Sequence, residues 1–355
     1  VGVVVEQLRR TVPGGIGTYG LGLLQGLLSV DAAARASVTL YASRSRSTPD
    51  PLADLGFPVV ASRLRGPLLT RAWDRGLVAA PRRFDLVHSL SLAAPPVRHG
   101  TLVVTVHDMA WRHVPEAYPR HGLQWHEAAL RRALHRASHF VVPSDTVATE
   151  LVGVGAPPEA VTMVPLGSDH LPPPDDEAAA SLLARLGVGG EFLLSVGTLE
   201  PRKNLVRLFD AYGSCRASLP GPWPLVVVGP SGWGPSAVGT EGVVYAGAVR
   251  GATLAALYRR ARLVAYVPVE EGFGLPPLEA MHQGTPVVAS PIPSTGGAAL
   301  EVDPTRVDDI ATALVQVATD DDLRARLSTE GRARAARLTW AATARAHLDL
   351  WESLR

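Results

Sequence analysis

Lys203 is the only lysine in the chain and stands beside Arg202, while the other 33 basic residues are all arginine. An ammonium is a compact, mobile point charge that suits a phosphate oxygen, whereas a guanidinium is a planar fork. Lysine kept against that bias marks a place to meet an anion, or else a solvated helix start. Glu271 and Glu279 form a second constellation, separated by the seven residues Gly272-Phe273-Gly274-Leu275-Pro276-Pro277-Leu278. Leu263 to Val267 has the composition of a short buried strand, Gly272 and Gly274 permit a tight loop with bare amides, and Pro276-Pro277 fit a helix's first turn. Glu271 then falls at a strand end and Glu279 about one turn into the next helix. A helix N-terminus with an attendant lysine can bind a diphosphate, and two nearby carboxylates can take hydroxyls of a sugar and a ribose. Glu279 could equally favour the helix dipole, and Glu271 could cap a loop.

The elements that must position these residues alternate along the chain. Val3 to Val5, Val38 to Tyr41, Leu86 to His88, Leu102 to Val106, Phe140 to Val142 and Thr162 to Val164 are apolar strand-like runs separated by helical patterns. That rhythm predicts a parallel sheet covered on both faces. Between the first two runs Ile16, Tyr19, Leu23, Leu24 and Leu27 recur at helical spacing, in a helix opening at Pro13-Gly14-Gly15-Ile16-Gly17. Gly14 and Gly15 would let backbone approach a ligand closely, or simply make a tight turn. His107 directly follows a predicted strand, at the carboxyl edge where ligands of such sheets bind. Leu171-Pro172-Pro173-Pro174-Asp175-Asp176 breaks the alternation, and 171–190 reads as a linker between 1–170 and 191–338. A second series follows at Phe192 to Val196, Leu225 to Val228, Val243 to Ala246, Leu263 to Val267, Val287 to Ser290 and Leu300 to Val302. Helices about 307–318 and 321–337 are expected to face solvent. A last helix in 339–355 sets Trp340, Ala344, Leu348 and Trp351 along one face.

At 355 residues the chain is too long for one ordinary domain and sufficient for two. Hydrophobic residues make up 46% and charged residues 19%, with no apolar run of membrane-spanning length. Cys215 stands alone, so no intrachain disulfide can form and a cytoplasmic location is the natural expectation. The net charge of +1 gives no ground for a nucleic-acid partner. Its distribution is uneven: 17 arginines face 13 acids up to residue 170, and 17 Arg and Lys face 20 acids beyond it. The excess gathers in Arg63, Arg65, Arg71, Arg75, Arg82 and Arg83, interleaved with Leu64, Leu68, Leu69, Trp73 and Leu77. Such a face suits anionic lipid headgroups, giving peripheral membrane association, or an acidic acceptor, or it is merely solvated. His113, His121 and His126 lack metal-ligand spacing, and no Asp-x-Asp precedes a plausible metal site, so metal-independent chemistry without a cofactor is expected.

The Glu-seven-Glu segment, Gly197-Thr198-Leu199-Glu200-Pro201-Arg202-Lys203-Asn204 and Gly284-Thr285-Pro286-Val287-Val288 resemble family-four retaining glycosyltransferases. The resemblance implies the GT-B fold, two Rossmann-like α/β domains with parallel sheets facing across a cleft. The N-terminal one (1–170) would serve the acceptor, the C-terminal one (191–338) a nucleotide-sugar donor, and the last helix would return to the first. It also implies roles: Arg202, Lys203 and the amides of Gly272, Phe273, Gly274 and Leu275 at the diphosphate, His107 and Glu271 at the transferred sugar, Glu279 at the ribose. Gly247, Ala248 and Val249 would read the base. The Thr-Leu-Glu-Pro-Arg-Lys-Asn variant with Val164-Pro165-Leu166-Gly167 is most similar to mannosyltransferases using GDP-mannose, with a saccharide or lipid-linked acceptor. A UDP-hexose or dTDP-rhamnose donor, a nucleotide-sugar epimerase of similar fold, or a degenerate binding protein without catalysis are the alternatives. The chain departs from the family pattern at Thr198, where arginine is frequent, and at Glu270, where tyrosine is usual. It is also short between Gly234 and Val243 and after Ser290.

Overall fold

A computed structural model describes residues 1–10, 12–30, 37–45, 50–232 and 240–355. Most of the span from Gly234 to Val243 lies outside the described residues. The chain divides into two compact units, Val1–His170 with Thr339–Arg355, and Leu171–Leu338. Both are parallel-sheet α/β units.

The first unit has seven parallel strands: β1 (Gly2–Val4), β2 (Thr39–Ala42), β3 (Val59–Ala61), β4 (Leu86–Ser89), β5 (Thr101–Thr105), β6 (His139–Val142) and β7 (Val161–Met163). Their order is β3-β2-β1-β4-β5-β6-β7, so the direction of winding reverses between β1 and β4. The inner strands are covered on both faces, which is why they read as largely apolar runs, and every residue of β4 and β6 is buried. β3 escapes that signature because it is an edge strand of three residues after Pro58, two of them exposed.

The Trp340–Ser353 helix belongs to this unit and packs on the Gly14–Val30 helix. Gly22 and Gly26 make the close approach possible. A Cβ on Gly22 would lie 2.1 Å from the Trp340 ring, and one on Gly26 would lie 2.2 Å from the Trp340 carbonyl oxygen. Asp169 accepts from the Trp340 amide (2.7 Å), and the Trp340 indole donates to His170 (3.1 Å), which seals the start of the helix.

The second unit holds β8 (Leu193–Val196), β9 (Leu225–Val228), β10 (Val243–Gly247), β11 (Leu263–Tyr266), β12 (Val287–Ala289) and β13 (Leu300–Glu301). Their order is β10-β9-β8-β11-β12-β13, with the reversal between β8 and β11. Two expectations need correction. The stretch 171–190 is no free linker: it carries the Asp176–Arg185 helix, capped by Asp175 and packed on the Gly251–Arg260 helix. There the Asp175 amide donates to the Ala252 carbonyl (3.0 Å) and Arg259 pairs with Asp176. Nor does the Val307–Thr319 helix merely face solvent. It buries Ile310, Ala313, Leu314 and Val317 against the Leu205–Cys215 helix, a stripe at helical spacing that its two early acids obscure.

Candidate active site

In an open parallel sheet, neighbouring strands whose crossovers run in opposite directions leave a crevice at their carboxyl ends. In the second unit those strands are β8 and β11. After β8 the chain turns at Pro201–Lys203 and enters the Leu205–Cys215 helix through Asn204, the only non-glycine with positive φ (59°) among the described residues. Asparagine tolerates that conformation. Its amide nitrogen donates to the carbonyls of Val267 (2.9 Å) and Pro304 (2.7 Å), tying the turn to the end of β11. The Val269 amide adds a bond to the Arg202 carbonyl (3.1 Å). These ties bring residues 68 positions apart together.

Glu271 is the focus. Its Oε2 lies 2.5 Å from Lys203 Nζ, 2.7 Å from the Tyr266 hydroxyl and 3.2 Å from Arg202 Nη1. Lys203 also donates to the Tyr266 oxygen (2.7 Å). Arg202 reaches the Glu200 carboxylate (3.0 Å) and the Glu270 carbonyl (3.2 Å). Burial by itself would raise the pKa of Glu271. The charges of Arg202 and Lys203 and the hydrogen bonds from Lys203 and Tyr266 outweigh it and hold the carboxyl far below the ordinary range. Burial, then the Glu271 charge, pushes the Tyr266 phenol well up, so it stays a neutral donor. The cluster is two cations, two carboxylates and a phenol, mostly shielded from water. A cavity of about 180 Å³ lined by Leu199, Glu200, Asn204, Leu205 and Arg207 opens on the same turn.

Gly272, Phe273, Gly274 and Leu275 complete this loop. Gly274 has φ 93° and sits against Ile292 and Ser294; the Ser294 amide donates to the Phe273 carbonyl (3.0 Å). Arg334 holds the short run after Ser290 by donating to the carbonyls of Ser294 (3.1 Å) and Pro293 (3.0 Å). Glu279 lies in the Leu275–Gln283 helix and is buried, accepting from Tyr258 (2.8 Å). Gly247 ends β10 with φ 69°, and Ala248 and Val249 follow at that carboxyl edge. Thr198 brings no charge; Arg202 is the guanidinium at this cluster.

His107, Gly14 and Gly15 belong to the first unit. Gly14, with φ 62°, opens its helix and Gly15 follows, and no atom of the described residues lies within 4 Å of a Cβ built on either. His107 lies just past β5, with Nε2 2.8 Å from the Leu90 carbonyl and its ring edge-on to Tyr19 at 4.8 Å. Burial lowers its pKa, so the imidazole is neutral at pH 7. A carbonyl only accepts, which puts the proton on Nε2 and leaves Nδ1 as an acceptor. Sequence reasoning missed Tyr266, Tyr258 and Asn204. Tyr266 carried the one available signal, a hydroxyl ending an otherwise apolar strand.

Residues 13–170 match the model of Glycosyltransferase Family 4, and residues 190–320 that of Glycosyl transferases group 1. The chain is 32% identical over 260 residues to O-antigen chain mannosyltransferase B of Escherichia coli, covering 69% of this chain and 68% of that one. It is 31% identical over 185 residues to the serotype-specific mannosyltransferase WbdA of Escherichia coli, 47% of this chain but only 22% of that longer protein. The structure of HepE from Anabaena, solved with UDP and glucose, shares the fold at a TM-score of 0.75 and 19% identity, with 99% of each chain covered. The chain therefore belongs to the group 1, family 4 glycosyltransferases.

Proposed function

We propose that this glycosyltransferase moves mannose from GDP-mannose to a hydroxyl of a saccharide or lipid-linked acceptor, with retention and without a metal ion. The observation that carries the reading is the Arg202–Lys203–Glu271 cluster at the β8–β11 reversal. Mannosyltransferase relatives support the sugar. A diphosphate would compete with Glu271 for both cations, which then stabilise the charge that grows on the leaving group. Glu271, released from them, can accept hydrogen bonds from hydroxyls of the hexose. In the first unit, the His107 Nδ1 acceptor suits a sugar hydroxyl as well. Glu279, held by Tyr258, would take the ribose. In same-face substitution the C1–O bond to phosphate breaks as the C1–O bond to the acceptor forms. The acceptor's proton passes to the departing phosphate oxygen. Titration calorimetry of GDP, GDP-mannose, UDP and UDP-glucose in EDTA tests the donor. GDP-mannose is expected to bind selectively, and Lys203→Ala to weaken it at least about tenfold, the worth of a charge-assisted contact. Turnover in that variant should fall at least about 100-fold. Preference for UDP-glucose would replace the donor, and no nucleotide binding at all would remove catalysis.

The acceptor side of the reading includes contact with an anionic membrane. No helix among the described residues is long and apolar enough to cross one. Arg63, Arg65, Arg71 and Arg75 are exposed around the Gly66–Asp74 helix, with Leu68 and Leu77 exposed beside them, while Leu69 and Trp73 point into the core. Cosedimentation with vesicles should occur with anionic lipid, weaken with salt and fall in Arg71→Glu/Arg75→Glu. Equal sedimentation with neutral vesicles, or no effect of the two substitutions, would refute it.

A further inference from the structure

Four buried side chains of the first unit have no part in the donor reading: Tyr19, His88, Thr105 and His347. They form one continuous hydrogen-bond chain. Trp351 Nε1 is 3.2 Å from His88 Nδ1, and His88 Nε2 is 2.8 Å from Thr105 Oγ1. Thr105 Oγ1 is 3.3 Å from the Tyr19 hydroxyl, which is 2.8 Å from His347 Nε2. His347 Nδ1 is 2.8 Å from the Thr343 carbonyl. The two ends fix the direction of every bond between them. An indole N–H only donates, so His88 accepts at Nδ1 and carries its proton on Nε2. A carbonyl only accepts, so His347 carries its proton on Nδ1 and accepts at Nε2. Thr105 then receives from His88 and donates to Tyr19, and Tyr19 donates to His347. This arrangement requires both imidazoles neutral, and burial favours that form in each.

Both ends of the chain lie on the Trp340–Ser353 helix, while its middle crosses β4, β5 and the Gly14–Val30 helix. One member reaches past the closed circuit. The Tyr19 ring meets the His107 imidazole at 4.8 Å and 77°, and the only hydrogen bond on that imidazole among the described residues runs from Nε2 to Leu90. A single bond at one ring atom leaves an imidazole free to swing about it, so an aromatic neighbour with a fixed position decides its orientation.

We propose that Tyr19 is a positioning residue for His107, its hydroxyl fixed by His347 of the C-terminal helix so that its ring holds the imidazole square to the Leu90 carbonyl. That His107 meets a sugar hydroxyl rests on the function proposed above; its orientation by Tyr19 does not. The test uses ligand-free protein labelled with ¹⁵N-histidine. Wild type should show the Nε2–H tautomer for His88 and His107 and the Nδ1–H tautomer for His347. Tyr19→Phe keeps the ring and removes both hydroxyl bonds, and His347→Leu removes the anchor without touching His107. Both should keep cooperative melting, shift the His107 ring nitrogens toward tautomer-averaged values, and lower kcat about tenfold with donor KM nearly unchanged. His347→Gln, whose amide oxygen can accept from Tyr19, should restore much of the His107 signal. Unchanged His107 nitrogens in Tyr19→Phe and His347→Leu, or an Nε2–H tautomer at His347, would overturn the proposal. Shifted nitrogens in a protein that transfers no sugar would uphold the positioning and sink the donor reading instead.

Discussion

Glu271 sits where three donors converge on one oxygen, and this sets what each neighbour contributes. A buried carboxylate between two cations is stabilised only while its partners stay, and removing one partner exposes the others to an uncompensated charge. Tyr266 differs from the two cations because it carries no charge. Tyr266→Phe removes a bond accepted from Lys203 and one donated to Glu271 but leaves the ion pairs in place. We expect a loss of about 1–2 kcal/mol in denaturant unfolding. Nucleotide affinity in calorimetry should fall less than in Lys203→Ala, because the cation survives. A loss as large as that of Lys203→Ala would make the phenol itself the phosphate contact. Lys203 was legible in the sequence because it is unique among arginines, and Glu271 because of its spacing from Glu279. Their direct pairing was not, since spacing along a chain says nothing of which carboxylate neutralises which cation. Tyr266 was hidden because a tyrosine in an apolar run satisfies the strand pattern without its hydroxyl.

At the scale of elements, the doubly wound rhythm was legible because strands buried on both faces are predominantly apolar. Twelve of the thirteen strands among the described residues were anticipated within two residues, and β3 was lost to its exposure at the sheet edge. The Asp176–Arg185 helix was hidden by the preceding prolines, which end one element without forbidding another soon after. Glycines in helices carry information that pattern reading does not use. Gly26 and Gly213 both lie inside helices, yet alanine at the two should act in opposite directions. At Gly26 the new methyl would meet the Trp340 carbonyl at 2.2 Å, a backbone atom that cannot rotate away. Gly26→Ala should therefore cost about 1–3 kcal/mol by overpacking. At exposed Gly213, in the Leu205–Cys215 helix, nothing lies within 4 Å, and alanine should add about 0.5–1 kcal/mol through the unfolded chain's entropy and helix propensity. Thermal melts of the two variants check this, and a gain in stability from Gly26→Ala would show that the Gly14–Val30 and Trp340–Ser353 helices are packed less closely than described.

Across the whole molecule the histidines are distributed very unevenly, with His282 the only one in the second unit. In the first unit His88, His107, His139 and His347 all have pKa values lowered, with burial the foremost cause in each. For such a group the folded state resists a proton that the unfolded chain accepts, so its stabilisation is complete above the unfolded pKa and drains away as pH falls toward the folded one. His347, lowered from 6.5 to about 4, faces His88, Tyr19 and Trp351, none of which offers it a negative charge. Between pH 6.5 and 4 it alone should remove about 3 kcal/mol. Glu271 acts in another window: its depressed pKa supports the second unit above the unfolded value of 4.5 and gives that support up only in stronger acid. Acidification from pH 7.5 to 4.5 should therefore lower the melting of the first unit well before that of the second. Fluorescence of Trp351 and Trp223, each as the single tryptophan left after replacement of the others, distinguishes the two units. His347→Leu should begin less stable at pH 7.5 but lose less on acidification than the parent. Parallel loss in both units, or an unchanged pH dependence in His347→Leu, would mean that the buried histidine chain does not control the acid stability of the first unit.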